Sequence, residues 1–122
     1  MIRLVLSAAP AAGLTHQDIG KFISETRPQC RNNGVTGMMI RNGGTIHFII
    51  EGPETAINAT ASQILSSPLF EGAAKGGTMP IRFRALDKIC LAYAKPENLS
   101  EDMCREITML TGLEFEQDAL AA

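Results

Sequence analysis

The feature that most narrows the fold is a hairpin signature in the first half of the chain. Val35 to Arg41 (VTGMMIR) and Thr45 to Ile50 (TIHFII) are short runs rich in apolar and β-branched residues. Between them stands Asn42-Gly43-Gly44, three residues that tolerate the positive φ of a tight strand connection. Such a pair is antiparallel and adjacent by construction, and its side chains alternate between two faces. Ile46, Phe48 and Ile50 share one face, and Thr45, His47 and Ile49 the other. A lone hairpin is marginal in water, so flanking segments must supply further strands and a cover.

They do so in a regular order. Ile2 to Ser7 (IRLVLS) reads as a buried strand, with Ile2, Leu4 and Leu6 on one face. Thr15 is a helix N-cap, with Asp18 three residues on in a capping-box variant. Leu14 and Ile19 take the two positions of a hydrophobic staple. Ile19, Phe22, Ile23 and Thr26 follow the i, i+3, i+4, i+7 spacing of a buried helix face, and Pro28 is expected to disturb or end that helix. After the hairpin, Gly52-Pro53-Glu54 opens a second helix whose buried face reads Ile57, Ala61, Ile64 and Leu65. Ser66 to Gly77 reads as loop, and Met79 to Phe83 and Lys88 to Tyr93 as two more strands. Ser100 caps a last helix with Met103, Ile107 and Leu110 on one face and Gly112 as its stop. The sum is an α+β, ferredoxin-like β-α-β-β-α-β-β plan, two helices on one sheet face plus a C-terminal helix. The expected division is a domain over 1–95 and a helix and tail over 96–122.

Composition removes several functional classes. With 11 basic against 13 acidic side chains the balance is slightly acidic, whereas nucleic-acid binding rests on an excess of Lys and Arg. No Trp and a single Tyr leave little for base-stacking surfaces. Cys30, Cys90 and Cys104 are odd in number and widely spaced, which indicates reduced thiols and neither a disulfide framework nor a metal site. No apolar run approaches the ~18 residues of a membrane span, and no signal peptide is legible, so a cytoplasmic setting is expected.

Gly34-Val35-Thr36-Gly37-Met38-Met39, the hairpin, and then Ile49-Ile50-Glu51-Gly52-Pro53 resemble the motifs of the BLUF family, bacterial blue-light sensors that use FAD. Arg3-Leu4-Val5-Leu6-Ser7-Ala8 resembles the family's first strand, and Met79-Pro80-Ile81-Arg82 stands where its fourth would lie. The resemblance spans about Ile2 to Ala94 and implies the family fold, with FAD as the family cofactor. It also identifies the family-equivalent pocket positions, and the departures fall on them. The first-strand Tyr, electron donor to the flavin, matches Leu6, and the Gln whose amide reorients matches Phe48. The Asn pair that bonds the flavin ring matches Gln29 and Cys30; the flavin-contacting Arg and Asp match Gln63 and Ser67. The last-strand F-x-x-W-x-M matches Leu86, Ile89 and Leu91.

In that register Leu6 and Phe48 both point where the isoalloxazine would lie, and neither bears a hydrogen-bonding group. Each buried flavin polar atom left without a partner costs about 1–3 kcal/mol. The expectation is therefore no cofactor, FAD being the family cofactor and the alternative. Two substitutes remain open: Asn32 and Asn33 for the lost Asn pair, and Tyr93 on the last strand for the lost Tyr.

Elsewhere, His47 belongs to the opposite sheet surface and His16 to a solvated helix turn. Glu51 has no neighbouring carboxylate for acid–base work. Arg82 and Arg84 share a strand face that suits an anion or solvent, and Gly72 to Thr78 lacks the phosphate-loop pattern.

The functional expectation is a BLUF-fold sensory or regulatory module without flavin photochemistry. It is not an enzyme, and it acts through contacts with a protein on another chain or with a second copy. Val5 and Ile49, on the sheet face away from the two helices, are candidates for that surface, which the C-terminal helix can share. One alternative is an FAD-binding photoreceptor with an atypical pocket. The other is a small-molecule site or enzyme on the same fold, using Cys30 and Gln29 in an emptied pocket.

Overall fold

The computed structural model describes residues 1–87, 90–95, 97 and 99–112. Strands β1 (Ile2–Pro10), β2 (Thr36–Asn42), β3 (Thr45–Gly52), β4 (Phe70–Pro80) and β5 (Cys90–Ala94) alternate with helices α1 (His16–Asn33), α2 (Glu54–Ser66) and α3 (Glu101–Thr111). The sheet order is β4-β1-β3-β2-β5. The hairpin lies at its centre, and β1 runs antiparallel between β3 and β4. β5 joins the far edge parallel to β2. The α+β plan expected from the sequence is the one observed.

Faces follow strand alternation. Leu4, Leu6, Ile46, Phe48 and Ile50 turn toward α1 and α2, where Ile19, Phe22, Ile23, Ile57, Ala61 and Ile64 complete the main core. On the other face Met38, Ile40 and Ile49 pack against Ile107 of α3. Two glycines permit close approach of backbones. A Cβ on Gly37 would stand 2.1 Å from the Ile49 carbonyl oxygen, and one on Gly52 would stand 2.8 Å from the Gly34 oxygen.

Helix ends obey the local chemistry. The Thr15 side chain accepts from the Asp18 amide at 3.2 Å, and Asp18 Oδ2 accepts from the Thr15 amide at 2.9 Å, so the capping box is complete. Gly34 closes α1 at φ 72°, the left-handed conformation a C-cap glycine adopts without cost. Ser100 caps α3 by accepting from the Met103 amide at 3.1 Å, and Gly112 ends it at φ 75°.

Several expectations are corrected. α1 runs through Pro28 to Asn33, because Ser24 and Pro28 are exposed and water can serve the carbonyl that loses its donor. The stretch read as loop is mostly β4. It is an edge strand bonded to β1 through its main chain, so its Gly and Ala residues need bury little. The residues assigned to the following strand, 81–83, lie beyond it. Leu65 is 39% exposed, and Thr60 takes its place on the buried face of α2. On α3, Met103 is likewise exposed and Cys104 is buried beside Ile107. Ile49 is not an open docking position, since α3 covers it, and Val5 is buried as well.

Candidate functional site

The helix-side site is built from the β1–β3 register, which sets Leu6 directly opposite Phe48. Both are fully buried. The Phe48 ring meets Phe70 edge-to-face at 5.1 Å, and Phe70 meets Phe22 in the same manner at 5.1 Å. This chain of rings ties β3, β4 and α1 together, a favoured aromatic geometry. Cys30 and Leu91 complete the same core. Leu91 sits at a register shift between β5 and β2 with φ 62°, an uncommon conformation for a branched side chain. Its carbonyl accepts from Arg27 Nη2 at 3.3 Å.

The family-equivalent positions thus separate. Leu6, Cys30, Phe48 and Leu91 come together in the core. Gln29 and Gln63 stand at its mouth, exposed, with Gln63 Nε2 donating to Gln29 Oε1 at 2.6 Å between α1 and α2. Ser67 ends α2 and accepts from the Leu69 amide at 3.3 Å. Ile89 lies outside the described residues. Asn32 and Asn33 are exposed at the end of α1. The Tyr93 hydroxyl lies 3.4 Å from His16 Nδ1 at the first turn of α1, and the Tyr93 ring packs against the edge of the core.

The opposite face holds a polar centre that reading the sequence missed. Arg3 Nε and Nη2 donate to Glu51 Oε2 at 3.0 and 2.8 Å, and Glu51 is fully buried. The amides of Ala85 and Leu86 donate to the same carboxylate at 3.1 and 2.6 Å. Arg84 Nη1 reaches the Glu51 carbonyl at 3.3 Å and Thr36 Oγ1 at 3.0 Å, so it is neither on a strand face with Arg82 nor a free anion site. The signal was present in the sequence. Arg3 and Glu51 are opposite partners once β1 and β3 are paired, and two buried charges must meet.

Nearby, Ser7 Oγ lies 2.9 Å from His47 Nδ1. Burial pushes the His47 pKa down, which favours the neutral ring. Among the described residues no three His, Cys, Asp or Glu side chains are grouped to hold a metal ion.

The sequence model of the BLUF family, described as sensors of blue light using FAD, matches residues 1–91. The chain belongs to the BLUF family. Solved structures share its fold at low identity. BlrB, a BLUF protein in its dark state, is 19% identical over 89% of this chain and 82% of its own, with a TM-score of 0.76. A bacterial light-regulated adenylyl cyclase is 20% identical over 90% of this chain at a TM-score of 0.75, and BlsA in its photo-activated state is 14% identical over 98% at 0.74. The chain spans 33% of the cyclase's length and 89% of BlsA's. No curated protein matches.

Family membership corrects the expectation of no cofactor, because the BLUF family is defined by its use of FAD. FAD is therefore the cofactor of the family to which this chain belongs. As packed, Leu6 and Phe48, at two of the family-equivalent positions, are fully buried and carry no hydrogen-bonding group. Gln63 Nε2 donates to Gln29 Oε1, and both glutamines are exposed. Among the described residues no buried side-chain nitrogen or oxygen awaits a partner. The same packing lends no support to a small-molecule site lined by Cys30, Gln63 and Phe48.

Proposed function

We propose that this BLUF-family chain is a regulatory module that works through protein–protein contacts and lacks the family's flavin light reaction. The observation that carries the reading is the Leu6–Phe48 pair, opposed across β1 and β3 and fully buried. The light reaction expected of the family needs an electron donor at the first position and an amide able to reorient at the second. Leucine supplies no electron, and a phenyl ring has no amide. Both deficits persist with FAD bound. Tyr93, placed on β5 and directed at His16, does not stand in for a first-strand donor.

The module reading treats residues 1–95 as the sensor-type domain and 96–122 as the helix and tail that carry its output. It places the protein in the cytoplasm and its partner on another chain or a second copy. No nucleic-acid or membrane role is assigned, and no helix among the described residues is long and apolar enough to cross a membrane. Cyclase activity belongs to the neighbour that carries it, and this chain is not read as an enzyme. Phe83 and Met109, 83% and 86% exposed, are apolar side chains available for contact.

The family's defining cofactor supports a second reading, a working FAD photoreceptor. Amide NMR spectra of the FAD-supplemented chain, recorded in the dark and under blue light, separate the two. Superimposable spectra are expected. Reversible shifts spread over β1 and β3 on illumination would overturn the proposal in favour of the photoreceptor.

A further inference from the structure

We infer that Glu51 is a latch that seats α3 on the sheet, acting through the segment 81–87 that follows β4. Four donors converge on its buried carboxylate, two from Arg3 and two from the main chain of Ala85 and Leu86. The amides come from a segment outside the sheet ladders, where a backbone N–H would otherwise turn to water. Arg84 adds bonds to the Glu51 carbonyl and to Thr36, so three successive residues are tied to one place on the sheet.

The tie has a consequence for α3. Leu86, held by its amide, lays its side chain against the small apolar cluster of Met38, Ile40, Ile49 and Ile107. That cluster is the footing of α3. The helix's own buried side chains among those described are Cys104 and Ile107, while Met109 on it is 86% exposed. Ala94 and Leu99 pack against the same cluster, so loss of Leu86 removes one of the three partly buried side chains that flank it among the described residues. β3 connects the latch to the main core. Phe48 and Ile50 face α1 and α2, and Ile49 and Glu51, between and beside them, face α3 and the latch. Glu51 is a positioning residue in this scheme.

The use of the latch in signalling rests on the regulatory-module reading. Its test needs no flavin, light or partner, so the two stand or fall separately. Amide hydrogen exchange is measured on the full chain and on Glu51→Gln and Leu86→Ala variants. Glu51→Gln is expected to speed exchange of Ala85 and Leu86 by roughly 10- to 100-fold, the scale of a lost charge-assisted bond. Exchange over Cys104 to Thr108 should rise with it, while Ile19 to Ile23 of α1 change far less. Leu86→Ala keeps the backbone amide, so Ala85 should stay protected while the α3 amides again exchange faster. If α3 keeps its wild-type rates in Leu86→Ala, or in a folded Glu51→Gln that has lost Ala85 protection, the latch is refuted. Should Glu51→Gln lose protection uniformly, Leu86→Ala decides by the same criterion.

Discussion

Replacing Phe48 with glutamine restores the residue type that the family resemblance places there and asks whether this chain has room for it. Phe48 is fully buried and meets Phe70 edge-to-face. Removing a buried aromatic side chain forfeits about 2 kcal/mol of apolar burial, and the lost ring pair adds about 1 kcal/mol. The incoming amide faces Leu6 across the strand pair, and an unpartnered buried amide costs about 1–3 kcal/mol more. These contributions are coupled, and a total of about 4–5 kcal/mol is comparable to the whole stability of a small domain. Phe48→Leu, which keeps an apolar side chain, should cost only about 1–2 kcal/mol. Urea titration followed by circular dichroism reads both. The leucine variant should shift the midpoint by about 1 M, and the glutamine variant should be largely unfolded or unfold in the first ~1–2 M. A glutamine variant within about 1 kcal/mol of wild type would refute the reasoning, since water or open space must then reach position 48.

Three further outcomes follow from the same geometry. Gly37→Ala would set a Cβ 2.1 Å from the Ile49 carbonyl oxygen, and a loss of at least about 3 kcal/mol in chemical denaturation is expected. His47 has its pKa lowered by burial, so the unfolded chain binds its proton more readily. Its contribution to stability is complete above the ordinary value of 6.5 and is lost as pH falls through that value toward the folded one; NMR titration of the ring and denaturation across that range should agree. Thr15→Ala should cost about 1 kcal/mol of cap stability. It should also let the Asp18 carboxyl, held below 3.8 first by the Thr15 backbone bond and then by the Thr15 side-chain bond, return part of the way, since the backbone bond survives.

What the sequence disclosed was local and periodic. The hairpin, the capping box at Thr15, the glycine stop at Gly112 and the helix-side faces of β1 and β3 each follow from a few neighbouring residues. β4 escaped because an edge strand rich in Gly and Ala bonds through its main chain and has no apolar alternation to display. Leu65 and Thr60 exchanged places on α2 because helix rotation alone does not say where a neighbouring layer ends. In the site, Leu6 and Phe48 were legible as core-facing residues from alternation, and their opposition follows once β1 pairs with β3. At the Glu51 centre the Arg3–Glu51 pairing follows from the β1–β3 register, whereas Ala85 and Leu86 contribute amides, which carry no residue signature. That the C-terminal helix can share the Ile49 face was legible; that Ile107 is the side chain that covers it was not, because its target is distant in sequence.

The most direct measurement is the light-minus-dark absorption spectrum of the purified chain incubated with saturating FAD. With Leu6 and Phe48 in place, the expected result is no reversible red shift of the flavin band after blue light. A reversible red shift that decays in the dark, in the unmodified chain, would contradict the central claim and make this protein a photoreceptor of its family.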